Sequence, residues 1–471
     1  MTDRRPTLEV LADSGPGVGS GHLARSLAVA ATWAGRGGRA VLRDAPASPG
    51  PWSDRYAAAG VEVGGEPGAE DSAGPGRVVL VDGYRQPAGR IAALRTGAPV
   101  VSIDDHGASG PRPADLVVDQ NPGADPDGYR AAGAERVLVG SRYALLRPEV
   151  VAAAPVDPPD RGAPPRRLLV AAGGDPHPGV ARLLDEVAAG AAGRHGLEVV
   201  ALRGVADVGA VLATVDLALT AAGSTLWELA RFGIPSVAVA VAPNQQPVAR
   251  AVGTAGLAVD AGDLADVDTD GLGAALDALV ADADRRAEMA RRGREAVDGH
   301  GARRVAAAAR ALLVRLRRAG PGDADLLWRW RNDPHVRAAS FDPDPIPWDD
   351  HVAWLDRVLA APDAAIWIAT DQQDRPLGQV RVEGAATGTG TTAVVVAPEA
   401  RGEGWAAPVL AAAAEAAGRE LGPAGLVALR AEVVEDNARS AAAFVAADFD
   451  RGPDGARRGR AHRTYHRPGH V

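Results

Sequence analysis

The chain has 471 residues, with 51 basic against 60 acidic side chains and a formal net charge of -9. It contains no Cys and no Lys, which excludes thiol nucleophiles, Cys-ligated metals, a pyridoxal Schiff base and a P-loop, since each needs one of those residues. The acidic balance argues against nucleic-acid partners, and no window approaches the roughly 20 apolar residues of a membrane helix. The N-terminus lacks the apolar core of a signal peptide, so a cytoplasmic protein of two or three domains is expected.

Over residues 1–150, short apolar runs alternate with Ala-rich helical stretches: LEVLA (8–12), RAVLR (39–43), RVVLVD (77–82), PVVSID (99–104) and DLVVDQ (115–120). Such runs, spaced by helix-length segments, predict βαβ units and a buried parallel sheet. Residues 151–167 are Pro-rich and read as a linker. Residues 168–310 repeat the alternation in LEVVALRG (197–204), VDLALTAAG (215–223), PSVAVAV (235–241) and LAVDAG (257–262), after RRLLVAAGG (166–174). The Arg- and Ala-rich stretch 283–318 is predicted to be helical and to close this second lobe. From 311 to 471 the texture changes, and six of the nine Trp fall there. The expected fold class is α/β: two Rossmann-like lobes with a ligand cleft between them, then a mixed α+β domain.

Residues 13–25 read DSGPGVGSGHLAR, between the first strand and an amphipathic helix (Leu23, Leu27, Ala30, Trp33). Gly15, Gly17, Gly19 and Gly21 permit close backbone approach to a ligand, and the helix start offers free amides to an anion. The dinucleotide pattern G-x-G-x-x-G is absent, which disfavours NAD. His22 sits where loop becomes helix. It either packs the loop or takes a proton from water in the cleft.

In the second lobe, Gly223, Ser224 and Thr225 open a helix whose first-turn amides suit a diphosphate. Glu228 lies one turn in, either as a first-turn acid favoured by the helix dipole or as a partner for ribose hydroxyls. Asn244 and Gln245 follow the next strand at its carboxyl end, where α/β ligands bind. In the third domain an apolar strand, Ala393 to Val396, ends at a Pro. The loop Arg401-Gly402-Glu403-Gly404-Trp405-Ala406 then opens an Ala-rich helix. Small residues there let amides wrap a pyrophosphate, with Arg401 adding charge.

The GxGH loop, the AAGSTLWEL helix start and the PNQ segment together resemble GT-B-type UDP-sugar enzymes. More narrowly they resemble the UDP-2,4-diacetamido-2,4,6-trideoxy-β-L-altropyranose hydrolases of pseudaminic acid biosynthesis. Further matches are VDGY (81–84), IDD (103–105), ADLVVDQN (114–121), GSRYALLRPE (140–149) and VAAGGDP (170–176), so the resemblance spans about residues 8–310. It implies that His22 is catalytic, that water attacks the anomeric carbon and that UDP leaves without a metal. Gly223, Ser224 and Thr225 would hold the leaving diphosphate and Glu228 the uridine ribose. Asp13 would orient His22 or the sugar, and Gly19, Gly21, Tyr84, Asn244 and Gln245 would contact substrate. Leu11 stands where that family usually has Arg.

Residues 314–452 resemble the GCN5-related N-acetyltransferases (GNAT), through the 401–406 loop and ALRAEVVEDNARSAAAFVAADF (428–449). The resemblance implies acetyl-CoA as co-substrate, bound by the strand backbone of Val394, Val395 and Val396, by Arg401, Gly402, Gly404, Trp405 and Ala406, and by Asn437 and Ser440. The family's Tyr acid is Phe444 here, and Asp448 replaces a Gly. His351 and Glu432 are the nearest candidates for the base, and Trp330 and Trp354 read as core. The expected whole is a bifunctional enzyme that N-acetylates a UDP-4-amino sugar and then hydrolyses the product to sugar and UDP. A glycosyltransferase with a UDP-sugar donor, or a non-catalytic sugar-nucleotide binder with a degenerate GNAT domain, are the alternatives.

Overall fold

The computed structural model describes residues 5–14, 20–43, 51–64, 76–174 and 176–468. The first apolar runs become strands β1 (Thr7–Ala12), β2 (Arg39–Arg43), β3 (Glu62–Val63), β4 (Arg77–Asp82), β5 (Val100–Ile103), β6 (Leu116–Asp119) and β7 (Val137–Val139). They form one parallel sheet in the order β3-β2-β1-β4-β5-β6-β7. Helices α1 (Gly21–Ala34), α2 (Pro51–Ala58), α3 (Ala88–Arg95), α4 (Pro126–Ala131) and α5 (Pro148–Ala153) connect and follow the strands. β4 is buried at all six positions, as a strand covered on both faces must be. The order reverses between β1 and β4, so the carboxyl ends of those two strands flank a crevice suited to a ligand.

The second sheet is also parallel, in the order β12-β11-β10-β8-β9, from β8 (Arg167–Ala171), β9 (Glu198–Ala201), β10 (Leu217–Ala221), β11 (Ser236–Ala240) and β12 (Val259–Asp263). Around it lie α6 (Pro178–His195), α7 (Val208–Leu212), α8 (Thr225–Phe232), α9 (Gln246–Thr254), α10 (Thr269–Ala281) and α11 (Ala283–Ala296), and α12 (Gly301–Ala311) follows. The Pro-rich stretch begins inside α5, and Arg161 within it is buried, donating to the carbonyls of Gly233 and Val215 at 3.1 and 2.9 Å. The predicted helix 283–318 is corrected: it breaks after Ala296, resumes as α12, and ends before a strand at Arg315–Arg318. That strand, RLRR, is mostly exposed at the edge of the third sheet, where pairing with the strand Ala365–Thr370 rather than helical propensity decides its conformation.

The third sheet comprises β13 (Arg315–Arg318), β14 (Ala365–Thr370), β15 (Pro376–Glu383), β16 (Thr389–Val396), β17 (Ala428–Val434), β18 (Asp450–Arg457) and β19 (Arg460–Pro468), ordered β13-β14-β15-β16-β17-β19-β18. All its pairs are antiparallel except β16 with β17. Its helices are α13 (Ala324–Asn332), α14 (Pro334–Ala338), α15 (Trp348–Ala360), α16 (Ala406–Leu421) and α17 (Ala438–Ala446). Helix α12 lies between α1 of the first sheet and α16 of the third. Its Val305, Ala306 and Ala309 join Trp33 and Leu27 to Val409 and Ala413 in one unbroken apolar core. Among the described residues no helix is long and apolar enough to cross a membrane.

Candidate functional site

Two sites emerge. The first is built at the carboxyl ends of β1, β4, β5 and β6, with α1 entering from the glycine loop. His22, in the first turn of α1, is buried, and its Nδ1 lies 2.7 Å from Asp82 Oδ1 at the end of β4. Arg25, one turn further along the same face, donates from Nε to Asp82 at 2.8 Å and from Nη1 to Asp105 at 2.8 Å. Ser26 adds a hydroxyl donor to Asp82 at 3.1 Å. Asn121 and Tyr84 donate to Asp105 at 3.0 and 2.8 Å, and the Tyr84 ring meets the imidazole edge-on, 4.9 Å between centroids.

Charge complementarity sets the protonation states here. Burial alone would raise the Asp82 carboxyl, but Arg25 and His22 more than offset it and hold that group below its usual range. Asp105 is likewise raised by burial yet brought down to about 2 by Arg25, Asn121 and Tyr84. Burial pushes the Tyr84 phenol up, with the Asp105 charge adding to it, so Tyr84 stays a donor. An ionised Asp82 accepts from Nδ1–H of His22, which leaves Nε2 as a proton acceptor and stabilises the imidazolium that would form.

Asp13 is not the carboxylate that holds the His22 imidazole. Its carboxylate accepts from the Arg85 N–H at 2.8 Å and from Gln86 Nε2 at 3.0 Å, and so clasps the turn after β4. Gly83 is required there, because a β-carbon would lie 2.1 Å from the Asp13 carboxyl carbon. Asp82 is the residue on the imidazole. Sequence reasoning quoted it inside VDGY without giving it a role. The signal in the sequence was an acid closing the apolar run RVVLVD, with nothing to mark its His partner. Gly19, like Gly15 and Gly17, lies outside the described residues.

The second lobe brings its residues to the same place. Ser224 Oγ stands 3.4 Å from where a β-carbon on Gly21 would be, so the starts of α1 and α8 approach each other. Asn244 Nδ2 donates to the Tyr84 hydroxyl at 3.0 Å, joining the lobes. Gln245 accepts from the Val241 N–H at 3.1 Å and lies beside Gly223. Thr225 begins α8 itself. Glu228 is buried, with its oxygens on Arg147 Nε and Nη2 at 2.6 and 2.5 Å. Arg147 and Glu228 thus form an ion pair at the edge of this cluster. Among the described residues no group of three or more His, Cys, Asp or Glu is placed to hold a metal ion.

The second site opens in the third sheet. β16 and β17 pair in parallel only through Thr389–Thr391 with Ala428–Arg430, and beyond Thr391 the register ends. A cavity of about 1360 Å³ lies where the strands part. Val394, Val395 and Val396 line one side of it and Glu432 to Val434 the other. Arg401, Gly402, Gly404, Trp405 and Ala406 close the end at the start of α16, with Asn437, Ser440 and Phe444 from α17. Asn437 caps α17, accepting from the Ser440 N–H at 3.1 Å, and Arg401 pairs with Asp333 at 2.9 Å.

The remaining GNAT side chains divide between cavity and core. His351 is corrected: it is buried against α13, its Nε2 3.0 Å from the Ala324 carbonyl oxygen, burial pulls its pKa down, and it does not line the cavity. Glu432 lines the cavity between Arg430 and Arg457, at 2.9 and 3.0 Å. His335 also lines it. Phe444 stacks on Tyr465, centroids 5.8 Å apart, and Trp330 is core as expected.

The splayed parallel pair with a glycine-bearing loop at the following helix defines the class. Residues 314–450 match the acetyltransferase (GNAT) domain family and form such a domain, whose co-substrate is acetyl-CoA. Solved structures similar to this part include spermidine N-acetyltransferase from Vibrio cholerae in complex with CoA and spermine. That likeness is 15% in identity, covers 33% of this chain and 96% of that one, and has a TM-score of 0.30. Another is the aminoglycoside acetyltransferase AAC(6')-Ib in complex with coenzyme A, at 17% identity, 33% and 94% coverage, and a TM-score of 0.29. No curated protein matches the chain.

Proposed function

We propose that the chain is a bifunctional sugar-nucleotide enzyme. The GNAT domain transfers acetyl from acetyl-CoA to the 4-amino group of a UDP-amino sugar. The two parallel-sheet lobes, read as a GT-B-like pair, hydrolyse the resulting UDP-2,4-diacetamido-2,4,6-trideoxyhexose to free sugar and UDP. The observation that carries the hydrolase reading is the His22–Asp82 pair, 2.7 Å apart, beside the facing starts of α1 and α8.

In the hydrolysis, a water oxygen bonds to the anomeric carbon as the bond from that carbon to the diphosphate oxygen breaks. The water proton goes to His22 Nε2, and UDP leaves with the bonding electron pair. Amides at the starts of α1 and α8, with the Ser224 hydroxyl, supply donors for the departing diphosphate. In the acetylation, the amine attacks the thioester carbonyl and the thiolate of CoA leaves. Glu432 takes the amine proton through water. Phe444 carries no proton, so water protonates the thiolate.

The test is phosphorus NMR of the full chain with UDP-2,4-diacetamido-2,4,6-trideoxy-β-L-altropyranose and no acceptor. UDP should appear, and His22→Ala should abolish it. UDP release that is unchanged in His22→Ala would sink the mechanism, and release only on adding an acceptor would favour a glycosyltransferase.

A further inference from the structure

The acetyl-CoA cavity is not enclosed by the GNAT domain alone. One wall comes from α1, through Ala28, Ala31, Thr32 and the Gly35-Arg36 turn, and another from α12, through Ala302 and Arg303. These elements meet the glycine-bearing loop directly. Gly404 has φ +78, and a β-carbon there would lie 2.6 Å from the Arg36 carbonyl oxygen. Arg310 of α12 donates to that same oxygen at 3.1 Å and stacks on Trp405, 4.1 Å from its centroid.

Positive charge is in excess at this junction. Among the described residues neither Arg36 nor Arg303 has a carboxylate within ion-pair distance. Arg310 is buried, with Nε and Nη2 lacking hydrogen-bond partners. The acid beside them, Glu403, already has its oxygens on Arg375 at 3.0 and 2.7 Å, and Arg401 is paired with Asp333. Burial lowers the Arg36 guanidinium and the Arg303 charge adds to this, while burial brings Arg310 down to about 9. Unpaired, partly desolvated guanidinium groups of this kind are costly unless an anion meets them.

The geometry points to Arg36 and Arg303, from the sugar-nucleotide half of the chain, as ligands for the phosphates of CoA, with Arg310 supporting Arg36 from behind. This rests on reading the cavity as the acetyl-CoA site. CoA carries a pyrophosphate and a 3′-phosphate, and guanidinium forks match phosphate oxygens in charge and shape. The loop amides at the start of α16 would share the pyrophosphate, and the two arginines supply the balancing charge.

Calorimetric titration of the full chain with CoA tests this. Arg36→Ala with Arg303→Ala should raise Kd by about tenfold or more, and Arg36→Glu with Arg303→Glu should raise it further. Wild-type affinity should fall more steeply with added salt than that of the Ala pair, a readout that does not depend on the Glu variant folding. Wild-type binding with the Ala pair within about twofold of it would overturn the arginine assignment alone. A wild-type chain that binds no CoA would overturn the reading of the cavity, and this assignment with it.

Discussion

At the scale of single residues, the first site is an imidazole held by buried charge. His22, Asp82, Arg25 and Asp105 are coupled through contacts of 2.7 to 3.0 Å, so removing one changes the state of the others. Asp82→Asn keeps the shape but takes away the anion that fixes the Nδ1–H tautomer and stabilises the imidazolium. UDP release by Asp82→Asn should fall by about 10²- to 10⁴-fold, read by phosphorus NMR, with sugar-nucleotide affinity changed far less. Asp105 yields a second expectation. Its folded value, about 2, lies below the ordinary 3.8, so its stabilising contribution is complete above about pH 4 and is lost as pH falls through 2. Asp105→Asn should therefore cost about 1–3 kcal/mol at neutral pH. In urea unfolding that gap should narrow between about pH 4 and pH 2. A gap that stays constant over this range would show that Asp105 does not act through its charge.

At the scale of elements, the strands were the most legible part of the chain. Runs such as RVVLVD and PSVAVAV are apolar on both faces and bounded by Gly or Pro, and their strands match within two residues. The pairing of His22 with Asp82 was not legible, because the two lie 60 residues apart and meet only through the β1–β4 register. His351 misled because a His near an acetyltransferase start reads equally as a base or as a core residue. Its backbone partner in α13 is a tertiary fact. The 401–406 loop was legible, but not why Gly404 is needed. It has a left-handed backbone and abuts the Arg36 carbonyl. Gly404→Ala should cost about 1–3 kcal/mol in urea unfolding and weaken CoA binding at the start of α16. An alanine variant with wild-type stability would mean that the loop relaxes freely and that its contact with α1 holds nothing.

At the scale of the whole molecule, the three sheets do not behave as beads on a string. One apolar core runs from Trp33 through α12 to α16, and polar ties lie around it. Arg136 pairs with Glu415 at 2.9 Å across the boundary. Asp448 makes three of these ties. It adopts φ +70, a conformation that Asp tolerates better than most residues, and sits in the turn before Phe449. Its carboxylate accepts from the Tyr143 hydroxyl at 2.7 Å and pairs with Arg142 at 2.8 Å and Arg304 at 3.3 Å, all three outside the GNAT domain. The departure from Gly that reads in sequence as a flaw is, in the fold, a tie between the GNAT domain and the lobes before it. Asp448→Gly separates the two effects. It relieves backbone strain of about 1 kcal/mol, and it removes the acceptor of the Tyr143 hydroxyl and the partner of Arg142, a loss of about 1–3 kcal/mol, while Arg304 keeps its pair with Asp298 at 2.5 Å. The tie should win, so the variant should melt lower, and calorimetry should resolve two transitions as the GNAT domain uncouples from the rest. If Asp448→Gly melts higher as one transition, backbone strain outweighs the tie and the shared core alone joins the units.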